Sequence, residues 1–194
     1  AAAAFKSGKP WVLDPVGIGI GQLRTDLLQE LKQYKPAIVR GNASEIIALA
    51  SLWDIEANAC ESSRPRGVDT TDTVEAARDA AVALARYTGG AVAVSGKKDL
   101  VTDGEKVVYS EGGSELMEKV TGFGCSQGGV LAVYTTATNP FTAALAAVAH
   151  YNVAGSRAAK VADAPASFKT AFIDELYRAT ARDIADNPFS VEEA

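Results

Sequence analysis

Short apolar runs alternate along the chain with longer segments in which apolar residues recur at helical spacing. The apolar runs at 11–16, 36–41 and 91–96 predict buried strands, and residues 99–110 predict a β-hairpin. Helices are predicted over the periodic segments 24–34, 42–50, 72–88, from about 125 onward, 140–161 and from 167 onward. This alternation predicts an α/β fold with a mostly parallel central sheet that is flanked by helices.

Capping residues place the ends of several predicted helices. Asp72 followed by Glu75 resembles a capping box, and Gly89-Gly90 ends the helix that it opens. Asn139-Pro140 and Ser167 are predicted to begin the last two helices. The polar segment 54–71 reads as a loop, and no internal repeat or domain-scale linker interrupts the pattern. We therefore expect residues 1–194 to form a single domain.

Composition and charge narrow the classes of partner. The chain has 194 residues, of which 47% are hydrophobic and 22% charged, with a formal net charge of −5. This negative charge argues against nucleic acid and acidic membranes as general partners, although a local positive site can still bind a small polyanion. The two cysteines, Cys60 and Cys125, do not make a disulfide framework, and no apolar run reaches spanning length. We expect a cytoplasmic protein without a membrane partner.

A glycine turn precedes the helix that is predicted from about residue 125. In the segment VTGFGCS, Gly122 and Gly124 let the backbone approach a ligand closely, and the helix start adds unpaired N–H groups and a positive dipole end. These features predict an anion hole for a phosphate group. Cys125 lies in the same field, which favours its thiolate and suits it to act as a base or polar contact. The alternative is a structural turn with a buried cysteine.

Polar residues also follow two of the predicted strands. Asp14 ends the strand in LDPVGIG, and Arg40 and Glu45 come from RGNASEI after the next strand. Open α/β sheets bind ligands at the carboxyl ends of their strands. There Arg40 could bind a phosphate oxygen, while Asp14 and Glu45 could hold Mg²⁺ directly or through water. Each residue also has a simpler explanation: a turn cap for Asp14, a solvated cation for Arg40 and a helix start for Glu45.

Five segments in this order resemble the hydroxyethylthiazole kinase family of thiamine salvage, which has the ribokinase-like fold. They are PWVLDPVGIG, KPAIVRGNASEIIALA, GVDTTDT, AVAVSGKKDLVTDGEKV and VTGFGCS. The resemblance runs from about residue 8 to residue 184. It implies ATP-dependent phosphorylation of 4-methyl-5-(2-hydroxyethyl)thiazole with Mg²⁺, in a homotrimer whose active sites lie between subunits.

The resemblance also implies roles for single residues. Arg40 would contact the ATP phosphates, and Ser95, where the family usually has Thr, would lie beside the nucleotide. Asp14 and Glu45 would serve the metal.

The glycine turn receives the remaining roles. Gly122 would line the thiazole and anion site, with Gly124 in the same turn, and Cys125 would be the catalytic cysteine near the substrate hydroxyl.

Two departures from the family pattern bear on these expectations. Residues 127–129, Gln-Gly-Gly, stand where family members have more apolar, helix-favouring residues, so the first turn of this helix is expected to be weak or bent. Family members also have a substantial segment before the PWVLDP strand, and we expect the sheet of this chain to lack the strands that it supplies. Two alternatives stay open: another ribokinase-like kinase, such as a hydroxymethylpyrimidine kinase, and a non-catalytic assembly subunit.

Overall fold

The computed structural model describes residues 1–55 and 73–194, and all elements named below lie within them. Cys60, the predicted cap Asp72 and most of the predicted loop 54–71 lie outside the described residues. The strands are β1 (Val12–Leu13), β2 (Ile38–Asn42), β3 (Ala91–Ser95), β4 (Asp99–Thr102), β5 (Lys106–Ser110) and β6 (Phe189–Glu193). The α-helices are α1 (Ala2–Lys6), α2 (Gln22–Leu31), α3 (Ala43–Leu52), α4 (Arg78–Thr88), α5 (Phe123–Tyr134), α6 (Pro140–Ala158), α7 (Pro165–Arg178) and α8 (Ala181–Ala185). Two short 3-10 helices cover Lys32–Tyr34 and Glu115–Lys119.

The described strands form one sheet in the order β1-β2-β3-β4-β5-β6. The first three are parallel, whereas β4, β5 and β6 each run antiparallel to the strand before them. The α/β class is therefore confirmed, but the expectation of a mostly parallel sheet is wrong, because the sheet is mixed. The connections from β3 to β4 and from β4 to β5 are short loops, and a parallel crossover needs about a dozen residues or more.

Helices cover both faces of the sheet, and alternate strand residues face opposite layers. Val39 belongs to the core formed with α2, α3 and α4, whereas its neighbour Ile38 packs with α5 and α6. On the second face, β3 presents the small residues Ala91 and Ala93 to the alanines of α6. Small side chains on both sides let the backbones of helix and sheet approach closely. A third, aromatic cluster surrounds α7, where Phe168 and Phe172 are buried as the helical spacing predicts.

Several helix ends follow the local sequence. Asn42 caps α3, where its side chain accepts the Glu45 N–H while the Glu45 carboxylate accepts the Asn42 N–H. Asn139 caps α6 with Pro140 in its first turn, as predicted. Gly89 ends α4 in the left-handed conformation.

Other helix ends differ from the predictions. The fourth helix begins at Arg78 rather than near residue 72, because residues 74–77 form turns. Ser167 does not cap α7: Pro165 opens that helix, and the Ser167 hydroxyl donates to the Ala164 carbonyl. The helices α1 and α8 and the strand β6 were not predicted. None of the helices in the described residues has the length and apolar character needed to cross a bilayer.

Candidate active site

Three parallel strands end at one edge of the sheet, and each brings a polar side chain to it. Asp14 follows β1 directly, Arg40 lies in β2 and Ser95 ends β3. The β2–β3 register pairs Asn42 with Ser95, which aligns the two carboxyl ends. The contacts described next join these three side chains.

Arg40 bonds to side chains from three other parts of the chain, although only 6% of the residue is exposed. Its Nη1 donates to Asp14 Oδ2 at 3.1 Å and its Nη2 donates to Ser95 Oγ at 2.9 Å. Its Nε donates to Gln127 Oε1 at 3.2 Å. A guanidinium has five N–H donors. Because Arg40 has no further acceptor among the described residues, one donor on Nη1 and one on Nη2 are available to a ligand.

The glycine turn lies against the terminal edge of this guanidinium. A Cβ atom on Gly124 would stand 2.7 Å from Arg40 Nη2 and 3.3 Å from Nη1, so only glycine leaves room there. Gly122 is the N-cap of α5 with a φ of 89°, a conformation that favours glycine. A Cβ on Gly122 would meet nothing within 4 Å. The two glycines thus serve different purposes: close approach at Gly124 and backbone conformation at Gly122.

Cys125 occupies the first turn of α5 and is exposed as a free thiol. The alternative of a turn with a buried cysteine is therefore wrong. The next residue anchors the turn, since the Ser126 hydroxyl donates to the Phe123 carbonyl at 2.8 Å. The Tyr151 hydroxyl lies 3.0 Å from Ser126 Oγ and donates to it, because the single Ser126 proton is already used.

Asp14 leaves one buried oxygen unused. Its Oδ2 pairs with Arg40, while its Oδ1 is buried and has no hydrogen-bond partner among the described residues. A buried carboxylate oxygen without a donor is costly. This atom is therefore available to a ligand, a water molecule or a metal ion at the same edge of the sheet.

Both oxygens of Glu45 are used within the protein. Its Oε2 accepts the Asn42 N–H at 2.9 Å and its Oε1 accepts the Gly17 N–H at 3.2 Å. Glu45 is 3% exposed and ties the glycine loop after β1 to the end of β2. The simpler explanation, a helix start, is confirmed, and the metal role of Glu45 stays a prediction.

A further carboxyl group, Asp99, is buried next to the site at the start of β4. Burial raises the pKa of Asp99 to about 6, against the opposing effects of the Gly96 N–H, the Asn152 side chain and the Arg40 charge. The Gly96 N–H donates to Asp99 Oδ1 at 3.0 Å. This shift places the titration of Asp99 close to neutral pH.

Sequence reasoning did not assign a site role to Gln127, Tyr151 or Asp99. In the sequence, Gln127 stands out only as a departure from the family pattern. Its position after the glycine turn and before the apolar run 130–133 was the available signal, because a polar side chain inside a packed helix usually has a specific partner.

The sequence pattern of the hydroxyethylthiazole kinase family matches residues 1–182. The chain is 47% identical over 201 residues to a hydroxyethylthiazole kinase of Bifidobacterium longum (strain DJO10A), covering 95% of this chain and 64% of that protein. It is 45% identical over 187 residues to a hydroxyethylthiazole kinase of Corynebacterium glutamicum (strain R), covering 94% of this chain and 66% of that protein. The chain thus spans slightly less than two thirds of the length of these relatives.

Solved structures show the same fold. The hydroxyethylthiazole kinase protein of Pyrococcus horikoshii OT3 is 30% identical with a TM-score of 0.81, covering 98% of this chain and 68% of that one. The pyridoxal kinase of Staphylococcus aureus in complex with AMP-PCP is 18% identical with a TM-score of 0.57, covering 95% of this chain and 64% of that one, and it supports the ribokinase-like fold alone. From this match of pattern, sequence and fold, the chain belongs to the hydroxyethylthiazole kinase family.

Proposed function

We propose that the protein transfers the γ-phosphoryl group of ATP to the primary alcohol of 4-methyl-5-(2-hydroxyethyl)thiazole, a step of thiamine salvage. The observation that carries this proposal is the buried Arg40, whose terminal nitrogens face the glycine turn at the start of α5. A cation and a helix N-terminus that face one small space suit a phosphoryl group. The identity of the alcohol substrate is taken from the names of the relatives.

The chemistry requires positioning and charge stabilisation rather than a covalent intermediate. The alcohol oxygen forms a bond to the γ-phosphorus, the bond between that phosphorus and the β,γ-bridging oxygen breaks, and ADP leaves with the electron pair. The hydroxyl proton passes to a base or to solvent. Arg40 and the N–H groups of the turn stabilise the charge on the transferred group, and Ser95, which bonds Nη2, lies beside the nucleotide.

Cys125 is the residue we assign to the alcohol. It is exposed in the first turn of α5, next to the Gly124 that contacts Arg40. A thiolate there could take the hydroxyl proton as the new bond forms. Because the hydroxyl of a loose transition state loses its proton late, this base helps the reaction without being essential.

Asp14 fits the Mg²⁺ that such kinases use. Its Oδ1 is a buried acceptor without a partner, and a carboxylate oxygen is the kind of ligand that Mg²⁺ prefers. Within residues 1–55 and 73–194, no group of three or more His, Cys, Asp or Glu side chains could hold a metal ion on its own. This pattern suits Mg²⁺ bound by one carboxylate, water and substrate phosphates, with Glu45 as a water-mediated second partner. When bound, Mg²⁺ would neutralise phosphate charge.

We extend the proposal to assembly and location. The family resemblance supports a homotrimer with sites between subunits. Exposed apolar side chains at the glycine loop and the start of α2, such as Ile20 and Leu23, offer a contact surface near the site. The cysteine usage and the soluble substrates support a cytoplasmic location.

An assay of two alcohols tests the proposal. The protein is incubated with ATP, Mg²⁺ and either hydroxyethylthiazole or hydroxymethylpyrimidine, and the phosphorylated product is measured by mass spectrometry. We expect product from the thiazole alone. Arg40→Ala should lower turnover by about 10²-fold or more, whereas Arg182→Ala, which alters a surface arginine with a 90% exposed side chain, should not. ATP-dependent turnover of the pyrimidine instead, or of neither alcohol, would refute the assignment.

A further inference from the structure

Among the described residues, only Gln127 bonds Nε, the inner nitrogen of the Arg40 guanidinium. It lies on α5 and is 5% exposed, and its Oε1 accepts the Arg40 Nε–H at 3.2 Å. The two residues are 87 positions apart, so this bond joins β2 to the helix that begins at the glycine turn. Burying a glutamine removes water from its polar amide, a cost that an apolar residue at the same place would not have. We therefore asked what its bond to Arg40 does.

The geometry of the guanidinium supplies that reason. The group is planar, and its five donors stand in a fixed fork. With Nε held by Gln127, the opposite edge, formed by Nη1 and Nη2, faces Gly124. Each terminal nitrogen directs one N–H along that edge. The bond to Gln127 therefore sets the direction in which Arg40 presents its donors to the glycine turn.

Without this bond, the remaining partners favour a different arrangement. Asp14 has a second carboxylate oxygen, Oδ1, which has no partner among the described residues. A carboxylate can accept two parallel N–H bonds from one guanidinium, and such bidentate pairs are strong. An Arg40 that could turn freely would thus be drawn into a two-bond pair with Asp14, which would consume donors that a phosphate needs.

We propose that Gln127 is a positioning residue for the phosphoryl-binding arginine: it holds the Nε–H and keeps Arg40 from closing onto Asp14. The consequence for catalysis rests on the proposed function, whereas the orientation of Arg40 can be measured without it. The role also explains why α5 carries a polar side chain at a buried position.

Two variants separate this role from simple packing. Gln127→Met keeps the length and the unbranched shape of the side chain but offers only a weak acceptor. Gln127→Glu keeps a strong acceptor in the same place and adds a charge. If Gln127 only filled space, Met would be tolerated and Glu would not. Under the positioning role the order is reversed. Gln29→Met, on the exposed face of α2, is the matched control.

The first readout needs neither nucleotide nor turnover. NMR follows hydrogen exchange of the Arg40 Nε–H, whose signal is identified by its absence in Arg40→Lys. We expect slow exchange in wild type, in Gln127→Glu and in Gln29→Met. We expect fast exchange in Gln127→Met. Slow exchange in Gln127→Met, or loss of its fold in a thermal unfolding scan, would overturn the proposal.

The second readout is the affinity for ATP, measured by calorimetry without the alcohol. Loss of one hydrogen bond that orients a charged donor should raise the Kd of Gln127→Met by about tenfold, with a smaller rise in Gln127→Glu. If wild type phosphorylates the alcohol, kcat should be lower in Gln127→Met than in wild type, while the KM for the alcohol stays unchanged. If wild type shows no turnover, the proposed function fails, and the exchange data still decide the role of Gln127. Equal ATP affinity in Gln127→Met and wild type would overturn the proposal.

Discussion

Arg40 connects the residues of the candidate site, because each of its three nitrogen atoms bonds a side chain from a different part of the chain. Asp14 comes from the end of β1, Ser95 from β3 and Gln127 from α5. Removing one partner of a buried ion pair leaves an uncompensated charge, which typically costs about 3–5 kcal/mol. Single substitutions here are therefore expected to affect both binding and stability, and they need controls for each.

Cys125 carries the first prediction at the residue scale. Cys125→Ala should lose much of kcat, within the roughly 10²–10⁴-fold range of general-base help, but keep measurable activity. The Kd for ATP should stay nearly unchanged, because the thiol is assigned to the alcohol. Cys125→Asp should retain more activity than Ala, since a carboxylate can also accept the proton. Steady-state kinetics and calorimetry check both statements, and a fully active Cys125→Ala would leave the turn as an anion hole alone.

The second prediction at the residue scale concerns Gly124. A Cβ at this position would stand 2.7 Å from Arg40 Nη2, and Arg40 cannot move away without losing bonds to its partners. Gly124→Ala should therefore raise the Kd for ATP by about tenfold or more. Gly128→Ala is the matched control in the same helix, because a Cβ there meets nothing within 4 Å. Equal ATP affinity in the two variants would show that Gly124 does not constrain Arg40.

At the scale of elements, α5 continues through Gly128 and Gly129 without interruption. The expected weak or bent first turn does not break the helix, which runs from Phe123 to Tyr134. Contacts of its buried face with α6 and the sheet compensate for the low helix propensity of the glycines. The two glycines nevertheless have open space around them and no positive φ.

Replacing these glycines with alanine should stabilise the protein. Gly128→Ala and Gly129→Ala should each raise the free energy of unfolding by roughly 0.5–1 kcal/mol, since alanine loses less backbone entropy in a helix. Gly122→Ala should lower it, because its φ of 89° strains any residue with a Cβ. Urea unfolding of the three variants measures the differences. A loss of stability in Gly128→Ala would mean that this site is not open in solution.

At the scale of the whole molecule, Asp99 makes stability depend on pH. Its pKa is about 6 in the folded protein, against an ordinary value of 3.8, because burial disfavours the charged form. The folded state thus binds a proton more tightly than the unfolded state. The associated stability is fully present below about pH 4 and is lost as pH rises through about 6. The shift corresponds to roughly 2–3 kcal/mol.

Asp99→Asn tests this linkage. The amide is neutral at every pH, and its oxygen can still accept the Gly96 N–H. The free energy of unfolding of the variant minus that of wild type should be larger at pH 8 than at pH 4, by roughly 2–3 kcal/mol. Urea unfolding of both proteins at the two pH values measures this change. The same gap between variant and wild type at both pH values would contradict a raised pKa.

Assembly is the other prediction at this scale. The expectation of a trimer comes from the family resemblance, and the alanines of α4 and α6 are largely buried within the subunit. The exposed Leu23, at 86%, is a better candidate for a contact. We expect light scattering to give about three times the 20.2 kDa chain mass. Leu23→Glu should lower this mass, whereas Val161→Glu, at another exposed apolar residue, should not. An active monomer would refute sites shared between subunits.

The sequence by itself determined the local elements that place the site. Three kinds of local signal act over a few residues: the apolar runs and period-3.6 patterns, the caps at Asn42 and Asn139, and the glycines of the turn. Local sterics and hydrogen bonding decide such features. The placement of Asp14 and Arg40 at one edge followed from the rule that ligands bind at the carboxyl ends of the strands in such sheets, whereas Ser95 was expected there only from the family resemblance.

Only the tertiary structure decided which atoms meet across that edge. The bond between Gln127 and Arg40 joins residues 87 positions apart, and the buried carboxyl of Asp99 bonds the Asn152 side chain of α6. The exposed β6 pairs with β5 through backbone hydrogen bonds, which leave little trace in side-chain patterning. Contacts of this kind depend on the packing of elements far apart in the chain, and packing is a property of the folded molecule rather than of any local segment.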